Sequence, residues 1–329
     1  MLARAYRPAA RRRAFTGRLC DMTDLPTDNL SRNVDAAFAR PLPRPIAAGR
    51  SDLLEALRDL RSVTDAELIR PWPWKGGSEE EVRYGFYRVA ESFELAGIEA
   101  HAQLRATGIE CGRAADRIAP ATAARWDLHG LLLTLPDSAW DADPRNEEWT
   151  IRQTMAHVIQ SQRYYGVGTA WWQRQAHAAD DPALPPVVPE SAYEGLPTEE
   201  EEGEGTPSEV RDRLDTVVDA SSTALGGLPA DRLALGARWS GFAVDIDFRL
   251  GRWSSHLREH TIQVEKTIAM IGHQPTEVDR LVRLVLAAWG RAEAEVYGAT
   301  GADAAADLLA AAAARARVTT ADVMRVARD

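Results

Sequence analysis

Apolar residues recur at helical spacing along most of the chain, and no stretch keeps the period of two that a half-buried strand needs. The pattern therefore predicts an all-α protein. Leu53, Leu54, Leu57 and Leu60 mark a short first helix that stops ahead of the rigid, aromatic segment PWPWKGG. Ser78 with Glu81 reads as a capping box opening a long helix, whose stripe is Val82, Phe86, Val89, Phe93, Ala96, Ala100 and Leu104. His101 lies near that stripe and reads as a core or boundary histidine. After the loop around Gly108 to Gly112, residues 113–135 supply the first strut of a bundle, with Leu128, Leu131, Leu132 and Leu135 facing inward. Thr150 and Gln153 make a second capping box, and behind it Ile151, Met155, Val158 and Ile159 form an apolar stripe. Beside that stripe runs a polar one, Gln153, His157, Gln160 and Tyr164, which is either a solvated flank or the lining of an internal site.

Between residues 180 and 206 the period vanishes into DDPALPPVVPESAYEGLPTEEEEGEGT, which reads as a long crossover with Glu199 to Glu202 as a solvated acidic run. Thr206, Pro207 and Glu209 supply the N-cap, first-turn proline and capping acid of a third strut that runs through Leu225 and stops at Gly226 and Gly227. LPADRLALGARW turns the chain. Asp245 or Asp247 then caps a fourth strut carrying Trp253, Leu257, Val264, Ile268 and Ile271, which ends at Gly272. Pro275 and Thr276 open another helix, striped by Val278, Leu281, Val282, Val285, Trp289, Ala292 and Val296. From Ala302 to Ala316 helix propensity is high but large side chains are few, so a loosely held terminal helix is expected. The chain divides into a disordered leader over 1–50, an N-terminal helical extension over 51–112, the bundle over 113–272, and C-terminal helices over 273–329 packed on it.

The leader carries Arg4, Arg7, Arg11, Arg12, Arg13 and Arg18. An Arg-rich, acid-poor start resembles an organellar transit peptide. The better-balanced MTDLPTDNL from Met22 favours a true start there, or a loose tail. The 329 residues, 45% of them hydrophobic, can bury a sizeable core, and a net charge of -10 argues against a general nucleic-acid binder. No apolar run approaches the roughly 20 residues that span a bilayer, so no membrane partner and a soluble protein are expected. With only Cys20 and Cys111, a disulfide framework is excluded and a reducing cytoplasm fits. Any metal falls to His, Asp or Glu. A reactive sulfur would come from a cosubstrate unless Cys111 is exposed and activated.

The candidate chemistry centres on His256 and His260, which share one helix face a turn apart. His260 fills the apolar stripe between Leu257 and Val264, so it needs a partner inside the protein. A metal shared with His256 is one such partner, and hydrogen bonds to neighbouring helices are another. One long connection between the second and third struts leaves the second and fourth free to be neighbours, which brings His157 toward the pair. Three neutral imidazoles with Zn–N near about 2.0–2.1 Å leave a fourth position for water or substrate, the pattern of a catalytic zinc site. Nickel and iron also accept imidazoles. His256 to His260 also spells H-x-x-E-H, in which Glu259 would be the general base of a metallohydrolase. That reading leaves His157 unexplained and has no strand to hold a peptide edge-on.

EEWTIRQTMAHVIQSQ, the acidic proline-rich crossover and RLGRWSSHLREHTIQVEKTIAMIGHQPTEVDRLV together resemble the DinB-like superfamily, in particular its thiol-dependent branch that includes mycothiol-dependent maleylpyruvate isomerase. The resemblance covers residues 113–272 and extends through the helix to Tyr297. It implies a DinB-like four-helix bundle with one long crossover, with extra helices at both ends. It also implies a metal held by His157, His256 and His260, zinc first, with nickel or iron as alternatives. The activity implied is a metal-dependent thiol transferase or isomerase, bacterial and cytoplasmic, in which a low-molecular-weight thiol such as mycothiol attacks an electrophilic small molecule. Members often pair as homodimers. Arg152, Arg249 and Arg252 are either carboxylate binders for thiol or substrate or surface arginines. Gln160, Tyr164, Trp253 and Trp149 either line the pocket or belong to flank and core. The non-enzymatic alternative is a metal-binding bundle that acts as an interaction module. A purely structural site would use four protein ligands, and only three are legible.

Overall fold

The computed structural model describes residues 38, 40, 42–74, 78–109, 112–297 and 302–328. Cys20, Cys111, Met22 and the arginine-rich start lie outside the described residues. Four long helices make the bundle: α3 (Arg113–Leu132), α5 (Ile151–Gln175), α7 (Pro207–Leu225) and α9 (Ile246–Met270). Helix α9 packs between α3 and α5, and α7 packs against the other side of the same two helices, so the ring closes. Leu128, Met155, Leu214 and Leu257 meet in its core with no exposed surface. The caps explain where the struts begin. Thr150 accepts the Gln153 N–H and Thr206 accepts the Glu209 N–H, each with the reciprocal bond of a capping box. Asp245 caps α9 by accepting the Phe248 N–H at 2.7 Å. Asp247 instead pairs with Arg113 and Arg117 on α3.

The remaining long helices form a second layer with its own core: α1 (Arg44–Leu60), α2 (Val82–Ala106), α10 (Glu277–Val296) and α11 (Asp303–Arg328). Residues before and after the bundle in sequence thus build one unit, and α10 presses it onto α3. Small residues set that approach. A Cβ on Gly130 would lie 2.8 Å from Arg283 Cα, and one on Gly290 would lie 2.6 Å from Trp126 Cβ. Helix α11 departs from the loosely held helix expected of its alanines. Ala305, Ala306, Ala312, Ala313 and Ala316 are buried against α1 and α2, because short side chains let helix backbones approach closely over a long face.

Four other expectations change. Helix α1 begins at Arg44 rather than at Leu53, since Pro45 sits in the first turn, where its missing N–H costs nothing. In place of the expected capping box, Ser78–Glu81 forms strand β2, paired antiparallel with β1 (Pro71–Trp74), and α2 starts after it with Glu81 at its N-cap and no side-chain cap bond. A second hairpin joins β3 (Gly236–Trp239) to β4 (Phe242–Asp245), so strands do occur in this otherwise helical chain. Its two turn residues, Ser240 at φ 47 and Gly241 at φ 85, are both left-handed, the two-residue turn that matches strand twist. His101 is exposed and pairs with Glu295 rather than facing a core. No helix among the described residues is long and apolar enough to cross a membrane.

A buried polar cluster ties the layers together. Arg50 of α1 reaches Asp219 of α7 at 2.6 Å and Glu293 of α10 at 2.5 Å. Arg125 of α3 reaches the same two carboxylates at 2.7 and 3.0 Å. Trp126 and Trp289 donate to Glu293, and the Tyr297 hydroxyl donates to Asp219. Each buried charge therefore has both an ionic and a hydrogen-bonded partner, the condition under which burial is tolerable.

Candidate metal centre

Helices α5 and α9 run antiparallel, since His157 meets His256 and His260 at one level while Thr169 meets Arg249 at another. One ring nitrogen from each of His157, His256 and His260 lies within 4.8 Å of the other two. The Nε2 atoms of His256 and His260 are 3.1 Å apart. Two ligands on bonds of about 2.0–2.1 Å at a tetrahedral angle stand about 3.3 Å apart, so the pair is already spaced for one ion. Burial, with the neighbouring imidazoles, lowers the His256 pKa to about 2 and that of His260 to about 4. Both rings are neutral at pH 7 and offer lone pairs.

Their outer nitrogens are held from behind. His157 Nδ1 lies 3.3 Å from a Glu199 carboxylate oxygen, and its Nε2 lies 3.4 Å from the Ser161 hydroxyl. Gln160 clasps Glu199 in turn, donating to the carboxylate at 3.0 Å and accepting its backbone N–H at 2.8 Å. His260 Nδ1 donates to Gln263 Oε1 at 2.8 Å. His256 Nδ1 is buried with no hydrogen-bond partner, so this ring is fixed by packing against Tyr165, 5.2 Å away between centroids. Trp149 covers the outer side of His157 at 5.1 Å.

Glu199 sits on α6 (Glu199–Glu202), a single turn in the crossover started by a Thr198–Glu201 capping box. The glutamate run does more than solvate a face. Glu202 has no exposed surface, and its carboxylate bonds Arg163 at 2.6 Å and faces Arg213 at 3.8 Å. Glu199, Gln263 and Tyr165 were not among the residues expected from sequence. Thr198 followed three residues later by Glu201 is the signal that could have exposed the ordered turn.

The other expected site residues divide. Arg152 binds Asp141 and the carbonyls of Gly203 and Gly205, which anchors the end of the crossover. Tyr164 stacks on Tyr193 at 4.5 Å. Trp253 is 1% exposed and belongs to the core. Glu259 is exposed, with both carboxylate oxygens bonded to Arg252 at 2.8 Å. Arg249 and Arg252 both lie near the Trp239 ring, at 5.6 and 5.5 Å.

Residues 121–264 match the family model of the DinB superfamily. The bundle is a DinB-superfamily domain. The match runs from α3 into α9 and takes in all three histidines, while the DinB region excludes α1, α2, α10 and α11. No curated protein and no solved structure matches the chain.

Proposed function

We propose that this DinB-superfamily chain is a metal-dependent thiol transferase or isomerase. His157, His256 and His260 hold one divalent ion, zinc first, with nickel or iron as alternatives. A low-molecular-weight thiol such as mycothiol attacks an electrophilic small molecule beside it. The observation that carries the reading is the donor set: three imidazoles from two helices, two with outer nitrogens engaged by Glu199 and Gln263. When bound, the ion supplies the Lewis acidity that keeps a thiol sulfur deprotonated near neutral pH.

The chain's own residues do the rest. Glu199 and Gln263 accept from Nδ1 of His157 and His260 and so fix the tautomer of each ring, and His260 turns its Nε2 toward His256. Burial raises the Tyr165 phenol to about 12, so it stays protonated beside His256 and can donate to an oxygen of the electrophile. Trp149 and Tyr165 pack against His157 and His256 and wall the site on two sides. In the reaction the thiol gives up its proton and a sulfur–carbon bond forms. Either the displaced group departs with the bonding pair or the neighbouring carbon takes up a proton. In an isomerisation the same bond later breaks and the thiol is regenerated. A cytoplasmic location and a homodimer go with this reading.

The test is a panel of mycothiol, glutathione and bacillithiol against 1-chloro-2,4-dinitrobenzene, with metal-loaded and chelator-treated protein. Conjugation above the chelated background is expected with at least one thiol. Background rates with all three at full metal occupancy would leave only a metal-binding module.

A further inference from the structure

Arg249 is out of proportion to the work it visibly does. Only 7% exposed, it donates from Nε to Thr169 Oγ1 at 3.1 Å and from Nη1 to the Arg238 carbonyl at 2.7 Å. Both acceptors are neutral, and no carboxylate among the described residues lies within ion-pair distance of it. Elsewhere in this protein buried arginines meet acids, as Arg125 and Arg163 do. A clamp joining the hairpin to α5 needs donors but not a full positive charge. A charge buried among Tyr165, Tyr193 and Trp239 without a counter-ion is costly unless something anionic comes to it. Burial already lowers the Arg249 pKa to about 10.

Arg252 stands one turn farther along α9 and shares the indole of Trp239 with Arg249. Its only acid among the described residues is Glu259, whose side chain is 55% exposed, and such a pair exchanges readily for another carboxylate. Two guanidinium groups thus converge on one indole, and the one acid that pairs with either, Glu259 on Arg252, is displaceable. Arg249 precedes His256 by seven residues on the same helix face, about 10 Å along the axis. Tyr165 bridges the interval, 5.2 Å from His256 and 5.0 Å from Trp239.

We infer that the strip between α5, α9 and the β3–β4 hairpin recognises a carboxylate on the ligand whose other end reacts at the three histidines, with Arg249 and Arg252 as its binding residues. This rests on the proposed function and adds a ligand class to it: a molecule carrying a carboxylate about two helical turns from its reacting atom. The carboxylate belongs either to the electrophile or to a thiol that carries one, as glutathione does and mycothiol does not.

Calorimetric titration of the full chain separates the two sources. One arm compares glutathione with its dimethyl ester. The other compares succinate, an unreactive stand-in for a carboxylate electrophile, with dimethyl succinate. The acid is expected to bind roughly 10- to 100-fold tighter than the ester in one arm, and that arm names the source. Arg252→Gln, at a part-exposed position, is expected to remove at least about 10-fold of the preference. Arg249→Gln is expected to abolish it, and Arg249→Lys to retain part. Equal binding of acid and ester in both arms would overturn the inference. So would a preference that survives Arg252→Gln in a protein of unchanged melting temperature, whether or not Arg249→Gln folds. Conjugation without carboxylate preference removes this inference alone, whereas carboxylate preference without conjugation removes the proposed activity alone.

Discussion

Glu199 and Gln263 perform one task with different chemistry: each accepts the outer proton of an imidazole and so fixes which ring nitrogen is free. Glu199→Ala should therefore weaken divalent-metal affinity by about 10- to 100-fold, measured by competition with a chromogenic chelator. Glu199→Gln, which keeps an accepting oxygen, should stay close to wild type. Equal loss in both variants would mean that charge, not hydrogen bonding, is what Glu199 contributes. At this scale His256 and His260 are legible as a pair because they differ by one turn, and His157 joins them only through the long crossover that leaves α5 and α9 free to be neighbours. Glu199 is not legible. In sequence nothing distinguishes it from Glu202, yet one carboxylate faces an imidazole and the other is sealed between arginines.

Elements built from few residues depend most on such side chains. Helix α6 is a single turn, too short to persist on propensity, and it is held by the Thr198–Glu201 box and by Glu202 beneath it. Glu202→Ala leaves the buried guanidinium of Arg163 without its anion and should cost about 3–5 kcal/mol in urea unfolding. It should also lower metal affinity, because α6 carries Glu199. Full metal affinity in a destabilised Glu202→Ala protein would uncouple the crossover from the centre. The long helices and most of their caps are readable because apolar period and capping boxes repeat over many residues. The hairpins escape because four-residue strands such as GARW and FAVD are too short to establish a period. Only Ser240-Gly241 between them betrays the second turn.

Across the whole molecule, the layers meet through charges that lie far apart in sequence. Arg50 and Glu293 are separated by 243 residues, which is why no local pattern reveals that the two ends of the chain build one layer. Burial pushes the Asp219 carboxyl up, but Arg125 and Arg50 beside it hold it well below its ordinary 3.8. Asp215 is likewise held low, against burial, by His129 and Arg125. With the folded pKa depressed, the unfolded chain binds more protons in acid. This stabilisation is complete above about pH 4 and is lost as pH falls through the folded values. The urea midpoint should accordingly drop below about pH 4, and Asp219→Asn should start lower at pH 7 and show a shallower acid decline. An unchanged acid slope in that variant would remove the junction as the source.

The account as a whole stands on one ion held by imidazoles from two helices. Its most direct test is the metal-to-protein ratio after equilibrium dialysis, read by elemental analysis for the wild-type chain, His157→Ala and His256→Ala, with helicity followed in parallel. The expected result is about one divalent ion per wild-type chain, with near-complete loss in both variants while helicity is kept. Full occupancy in either variant, or none in the wild type, would contradict it.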